Sequence, residues 1–262
     1  MTLAIALRGD TSRFRENTLP AIRSAIAAGA DVLAVDLRTT ADGHVVAVRE
    51  DDADPAQSPR PRPRRAADRP ELVETLSGLA ALGSDVEQRI PTLMEVLAET
   101  AGGPAPCSLL CEVDDAQTAL AAEAVIGEHG LGDRVCYTGS IDTLHALRSH
   151  RPALPIALRW DLPSLPAPEV WEALRPAVFS ADHRILTRDS VLEIQRHGYR
   201  VAAWTVDDFT EMVRVAGMGV DAIVTADIGE LVKLTRNGGQ QAAESGAHEY
   251  PVTTPGEGIG SP

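Results

Sequence analysis

Short apolar runs alternate with amphipathic segments along most of the chain. The runs are rich in Ala, Val, Leu and Ile and have the length of buried strands, while the segments between them repeat their apolar residues at helical spacing. This pattern predicts strands at residues 3–7, 32–38, 108–113, 134–139, 155–159, 178–182, 200–205 and 222–225. It predicts helices at residues 19–28, 92–100, 116–128, 141–148, 167–174, 187–197, 207–216 and 228–235.

Each predicted strand is followed by a predicted helix, and this order determines the fold class. Strands that are apolar on both faces indicate a parallel sheet covered by helices. Eight such units indicate an α/β fold of the closed (β/α)8 type, a TIM barrel, rather than an open sheet. The chain has 262 residues, of which 44% are hydrophobic. That suffices for the core of a single barrel over residues 1–235.

Two segments interrupt the alternation. Residues 51–89 follow a hairpin-like arm, HVVAVRED, and include PAQSPRPRPRRAADRP, where the density of proline prevents a regular strand or helix. We predict a Pro/Arg-rich insertion on the loop side of the barrel, whose arginines either lie in solvent or grip a phosphate. Residues 236–262 are rich in Gly, Ser, Pro and polar residues and are predicted to form a disordered tail.

The charge and the hydropathy limit the classes of partner. A formal net charge of -14 argues against the basic face that nucleic-acid binding requires, and it argues against an anionic membrane as the main partner. No stretch has the basic start and apolar run of a signal peptide, and none has the ~20 apolar residues of a membrane span. We therefore predict a cytoplasmic protein without a nucleic-acid partner. Its oligomeric state is not indicated.

Candidate functional residues lie at the carboxyl ends of the predicted strands, where TIM barrels carry their chemistry. These ends, with the hairpin arm, contribute Leu7 and Arg8, Ala34, Asp36 and Arg38, Arg49, Glu112 and Asp114, Asp182 and His183, Trp204, and Thr225 and Asp227. Carboxylates and guanidinium groups are thus expected to meet at one end of the barrel.

Five blocks of sequence resemble one known family. They are IALRGD, GADVLAVDLRTTADGHVVAVRED, RIPTLMEVL, LLCEV and GYRVAAWTVDDFTEMVRVAGMGVDAIVTAD, and they span roughly residues 3–234. In this order they resemble the glycerophosphodiester phosphodiesterases. The resemblance implies a barrel of the phospholipase-C-like phosphodiesterase type and a role in lipid metabolism. It also implies hydrolysis of a glycerophosphodiester to glycerol 3-phosphate and an alcohol, with Mg²⁺ or Ca²⁺ as cofactor.

The family motifs are only partly retained here. The resemblance implies that Asp36 and Glu112 are metal ligands, and that Arg8 and Trp204 contact the substrate. The positions that differ are Leu7 and Arg49, where the family has two catalytic histidines, Ala34, where it has a metal-ligating glutamate, and Asp114, where it has a lysine.

These replacements predict impaired catalysis. A placed histidine contributes about 10² to 10⁴-fold as a general acid or base, and a guanidinium group does not exchange protons near neutral pH. Two carboxylates form a sparse site for a dication that takes about six or more oxygen ligands, although Asp114 could replace the ligand lost at Ala34. Arg49 either pairs internally with Asp36 or Glu112, or forms an anion clamp with Arg8.

Three functions stay open from the sequence. The first is a degenerate phosphodiesterase whose mouth still binds a phosphate or phosphodiester through Arg8, Arg49 and Trp204. The second is an active enzyme with a rearranged site, in which His183 substitutes as the acid. The third is a non-catalytic scaffold that holds a partner through the insertion and the tail.

Overall fold

The computed structural model of the protein describes residues 2–49, 90–103 and 107–245. The predicted insertion at 51–89 and the tail from 246 onward lie outside these residues. The strands are β1 (Leu3–Leu7), β2 (Val32–Thr39), β3 (Val45–Ala47), β4 (Ser108–Val113), β5 (Val135–Gly139), β6 (Ala157–Trp160), β7 (Val178–Asp182), β8 (Arg200–Trp204) and β9 (Ala222–Thr225). The α-helices are α1 (Leu19–Ala28), α2 (Leu93–Gly102), α3 (Ala116–Glu128), α4 (Ile141–His150), α5 (Pro168–Leu174), α6 (Arg188–Arg196), α7 (Phe209–Gly217) and α8 (Ile228–Ser245).

The strands form a nearly closed parallel barrel. Their order is β5-β4-β2-β1-β9-β8-β7-β6, and a single parallel bridge between Tyr137 and Ile156 links β5 to β6. The short strand β3 pairs antiparallel with β2 outside this ring, so the hairpin arm predicted from the sequence is present. The structure confirms the predicted (β/α)8 fold class.

The barrel has an inner and an outer apolar layer because successive strand residues face opposite sides. The outer cluster packs the strands against the helices and includes Leu33 and Val35 of β2. The inner cluster is formed mainly by small residues, namely Ile5, Ala34, Ala202, Ala222 and Val224. Leu7 packs against this inner cluster. Asp36 lies two residues beyond Ala34 on the same face of β2, so its side chain faces the open end of the barrel.

Side-chain caps define where most helices begin. The side chains of Thr18, Thr92, Asp115, Ser140, Thr187 and Asp208 each accept a hydrogen bond from a backbone amide of the first turn. Such residues stabilise helix starts because the first amides have no partner within the helix. The loops between strand ends and helix starts are therefore anchored at the end of the barrel where the candidate site lies.

The last helix is longer than predicted. α8 ends at Ser245, so residues 236–245, which we predicted to be part of a disordered tail, are helical. The polar composition and the glycine pair of this stretch suggested disorder, but it is rich in the good helix formers Gln, Ala and Glu. Arg236 Nη2 also donates to the carbonyl of Gly29 at 2.9 Å, which holds the helix against α1. No helix in the described part of the chain is both long and apolar enough to cross a membrane.

Candidate active site

Three inward-facing residues form a row across neighbouring strands at the carboxyl end of the barrel. Asp36 of β2 is in register with Glu112 of β4, and Glu112 is in register with Thr138 of β5. We call Asp36, Glu112 and Thr138 the mouth row. It brings together the two carboxylates that the resemblance assigns to a metal.

Asp36 is held by side-chain donors from the loop after β1. Arg8 donates from Nε to Asp36 Oδ2 at 2.5 Å and from Nη2 to Oδ1 at 3.3 Å, and Asn17 Nδ2 donates to Oδ2 at 2.9 Å. The same guanidinium donates from Nη1 to Glu16 Oε2 at 2.9 Å. Arg8 and Asp36 are only 16% and 14% exposed. The oxygens of Asp36 are therefore already taken by a two-pronged arginine contact and an amide.

The backbone around Arg8 is shaped to deliver this contact. Arg8 and Gly9 have φ angles of 59° and 95°, and Asn17 has a φ angle of 55°. A Cβ atom on Gly9 would lie 2.6 Å from the backbone of Ala21, so only glycine permits this close approach of the turn to α1. The loop thus presents the Arg8 and Asn17 side chains to Asp36 from a packed turn.

Glu112 is held from the other side of the barrel. Arg159 of β6 donates from Nη1 to Glu112 Oε1 at 2.5 Å, and its guanidinium carbon lies 4.4 Å from the ring centre of Trp204. The Trp204 ring is fixed because its Nε1 donates to the carbonyl of Ser180 at 2.9 Å. This arrangement combines an ion pair with a cation–π contact. Burial raises the pKa of Glu112, and the positive charge of Arg159 opposes that rise.

The raised pKa of Glu112 predicts a pH dependence of stability. The folded protein keeps the Glu112 proton to a higher pH than the unfolded chain, where the ordinary pKa is 4.5. The stability contributed by this group is therefore complete below that value and is lost as the pH rises through the raised pKa. The wild type loses this contribution as the pH rises from 4.5 to 7, whereas Glu112→Gln has no carboxyl group to ionise. We therefore expect the free energy of unfolding of Glu112→Gln, measured by urea denaturation, to rise relative to that of the wild type over this range. Glu230→Gln, an exposed change on α8, is the control, and its free energy of unfolding should stay within about 1 kcal/mol of the wild type at every pH.

The structure corrects the prediction for Arg49. Neither Asp36 nor Glu112 pairs with it, because Arg8 and Arg159 hold those carboxylates. Arg49 Nη1 instead lies 4.0 Å from Glu16 Oε1, and the Arg49 side chain is 46% exposed. Its position at the end of the hairpin arm places it beside the first loop.

Asp114 and His183 also have neighbours of their own. Arg38 Nη2 donates to Asp114 Oδ2 at 3.0 Å, so Asp114 does not stand free as a replacement ligand. His183 Nδ1 lies 3.4 Å from the Trp204 carbonyl oxygen, and Nε2 lies 3.7 Å from Glu211 Oε2. The ring nitrogens of His183 thus face β8 and the start of α7 rather than the mouth row.

Comparison with known proteins decides the family. The model of the glycerophosphoryl diester phosphodiesterase family matches residues 8–230. The chain belongs to this family. The resemblance inferred from the five sequence blocks is thereby confirmed.

Relatives of this phosphodiesterase-family chain agree over nearly its whole length. A glycerophosphodiester phosphodiesterase of Caldanaerobacter subterraneus subsp. tengcongensis is 28% identical, covering 91% of this chain and 99% of the relative. A putative glycerophosphoryl diester phosphodiesterase of Silicibacter pomeroyi has the same fold, with a TM-score of 0.73, 22% identity and coverage of 91% and 94%. An Oleispira antarctica phosphodiesterase, solved with the product sn-glycerol-3-phosphate, has a TM-score of 0.74, 19% identity and coverage of 90% and 97%.

The residues at this mouth do not fit the divalent cation that the family implies. The oxygens of Asp36 accept from Arg8 and Asn17, and Glu112 accepts from Arg159. Within residues 2–49, 90–103 and 107–245, no group of three or more His, Cys, Asp or Glu side chains is arranged to hold a metal ion. A dication would have to displace two guanidinium groups and would gain few oxygen ligands.

Sequence reasoning missed two of the residues that shape the site. Arg159 is the last residue of the strand predicted at 155–159, and Thr138 is the next to last of the strand predicted at 134–139, but neither was among the candidates. The sequence did contain a signal for both residues, since any inward-facing residue at the carboxyl end of a barrel strand is a candidate for the site. The contact between Arg159 and Glu112, however, joins strands that are not adjacent in the sheet, and spacing in the sequence does not reveal it.

Proposed function

We propose that the mouth of this barrel binds a glycerophosphodiester or its phosphate product without a divalent cation, and that hydrolysis is impaired. One observation carries the proposal: guanidinium groups from Arg8 and Arg159 lie against Asp36 and Glu112, the carboxylates that the resemblance assigns to the metal. The positive charge that a cation would supply near a phosphate is then supplied by fixed side chains.

The chemistry of the mouth supports a phosphate-bearing ligand. Arginine presents planar donors that match phosphate oxygens in pairs. Arg49 and Arg159 are 46% and 47% exposed, so their remaining donors are open to a ligand, and the Trp204 ring lies beneath Arg159. The Oleispira antarctica phosphodiesterase was solved with sn-glycerol-3-phosphate, and we propose that the same class of ligand occupies this mouth.

The missing proton donors support weak hydrolysis. Leu7, at a position the resemblance assigns to histidine, packs on the inner apolar cluster, and Arg49, at the other, carries a guanidinium that keeps its proton. Each placed acid or base is worth about 10² to 10⁴-fold. Arg8 and Asn17 are then left to orient Asp36, and Arg159 to bind the phosphate.

Calorimetry and a hydrolysis assay test the proposal. We expect sn-glycerol 3-phosphate to bind in EDTA, with an affinity that added Ca²⁺ or Mg²⁺ does not raise. Hydrolysis of glycerophosphocholine should be at least about 10²-fold slower than that of the Caldanaerobacter relative assayed in parallel. Metal-dependent binding, or hydrolysis at the relative's rate that Asp36→Ala abolishes, would contradict the proposal.

The same measurements separate the two alternatives. An active enzyme with a rearranged site is favoured by one observation, that His183 lies within reach of Asp182 and Glu211. That alternative requires wild-type hydrolysis that His183→Ala removes. Absence of binding with and without metal would favour a scaffold, with the insertion at 51–89 as its contact. A cytoplasmic location and a part in lipid metabolism stay predictions.

A further inference from the structure

One hydroxyl group at the mouth lacks a partner. Thr138 is 6% exposed, and its Oγ1 is the one buried side-chain oxygen or nitrogen without a hydrogen bond across the described residues. Buried hydroxyl groups are normally satisfied, because leaving one unpaired is unfavourable. An exception at a candidate site indicates a missing water molecule or ligand.

The position of Thr138 on β5 directs this hydroxyl into the barrel. Its neighbour Tyr137 faces outward, since the Tyr137 hydroxyl donates to Glu123 of α3 at 2.8 Å. Successive strand residues face opposite sides, so Thr138 faces the interior. It stands in register with Glu112 and is thus a direct neighbour of the carboxylate that Arg159 holds.

We propose that Thr138 is a specificity-determining residue, whose hydroxyl group binds a glycerol hydroxyl of the ligand while Arg159 binds the phosphate. This inference rests on the proposed function. In it, the phosphate binds the donors of Arg159 that Glu112 does not use, and the glycerol lies beside Glu112 and Thr138. A site that hydrogen-bonds a substrate hydroxyl discriminates against analogues without it. The mouth therefore prefers a polyol phosphate to the phosphate of an apolar alcohol.

Two phosphate esters serve as probes in EDTA: sn-glycerol 3-phosphate, and n-propyl phosphate, which lacks both glycerol hydroxyls. We expect the wild type to prefer the glycerol ester by about tenfold in calorimetry, the size of one buried hydrogen bond. Thr138→Val, which replaces the hydroxyl by a methyl group, should bind both esters equally. Thr138→Ser should keep the preference.

Thermal stability provides a second readout, which a purely structural role would move in the opposite direction. Thr138→Val removes an unpaired polar group and should raise Tm by about 2 to 4 °C. The matched control is Thr100→Val, since Thr100 is also buried but donates to the Leu97 carbonyl at 2.9 Å. We expect that variant to lose stability.

The outcomes distinguish this inference from the proposed function. If the wild type binds sn-glycerol 3-phosphate but Thr138→Val keeps the preference, the role of Thr138 is wrong and the proposed function stands. A fall in Tm for Thr138→Val comparable to that of Thr100→Val would mean that the hydroxyl is structural, with the same consequence. If the wild type binds neither ester, both proposals fail.

Discussion

Asp36→Ala is expected to lower the free energy of unfolding by about 3 kcal/mol, because it leaves the largely buried guanidinium of Arg8 without one of its two carboxylate partners. Arg8 is 16% exposed and contacts two carboxylates in the described residues, Asp36 and Glu16; the variant would keep the contact with Glu16. Asn17 would also lose its acceptor. Urea denaturation at pH 7 with linear extrapolation measures the loss.

Two further variants show whether the unpaired charge is the cause. In the Asp36→Ala background, Arg8→Met removes the charge and should recover a large part of the stability, so the two changes should be strongly non-additive. Glu230→Gln breaks an exposed pair with Lys233 and should cost at most about 1 kcal/mol. A loss for Asp36→Ala no larger than that of Glu230→Gln would contradict the explanation.

Gly139→Ala is expected to cost about 3 kcal/mol or more, because the end of β5 has no room for a side chain. A Cβ atom at Gly139 would lie 1.9 Å from the carbonyl oxygen of Val113, its register partner on β4. A backbone atom cannot rotate away as a flexible side chain can, so β4 and β5 must separate and repack. Denaturation of the purified variant measures the cost.

Gly127→Ala is the matched control for this change. Gly127 lies in α3, and a Cβ atom there would meet nothing within 4 Å, so alanine should stabilise the helix by about 0.5 to 1 kcal/mol. Opposite signs for the two glycine-to-alanine changes are the expected result. A neutral Gly139→Ala would show that the strands can separate without cost.

The fold followed from the sequence because the alternation of strands and helices is local. The runs at 3–7, 108–113, 178–182 and 222–225 coincide with observed strands, since buried parallel strands require short continuous apolar stretches. The extension of α8 to Ser245 did not follow, and the contact of its Arg236 with Gly29 joins distant parts of the chain that the local pattern does not relate. Composition alone favoured disorder there.

The two carboxylates of the candidate site were predictable from the sequence, but their partners were not. The rule that strand ends carry the chemistry placed Asp36 and Glu112 at one end of the barrel, and the two residues are register partners on β2 and β4. The partner of each carboxylate depends on how far an arginine reaches across the barrel. Arg49 is closer in sequence to Asp36, yet the turn at Arg8 and the stacking of Arg159 on Trp204 determine the pairs.

The ion pair of Glu112 with Arg159 crosses the seam between β5 and β6, where a single bridge between Tyr137 and Ile156 pairs the two strands. β1 to β5 and β6 to β9 are two contiguous half-barrels. Four register pairs join them along β1 and β9, whereas in the described residues the strand pairing at the opposite seam consists of that bridge alone. Glu112 belongs to the first half and Arg159 to the second. Their contact spans this seam, so the arginine that opposes the burial of the Glu112 charge also connects the two halves of the fold.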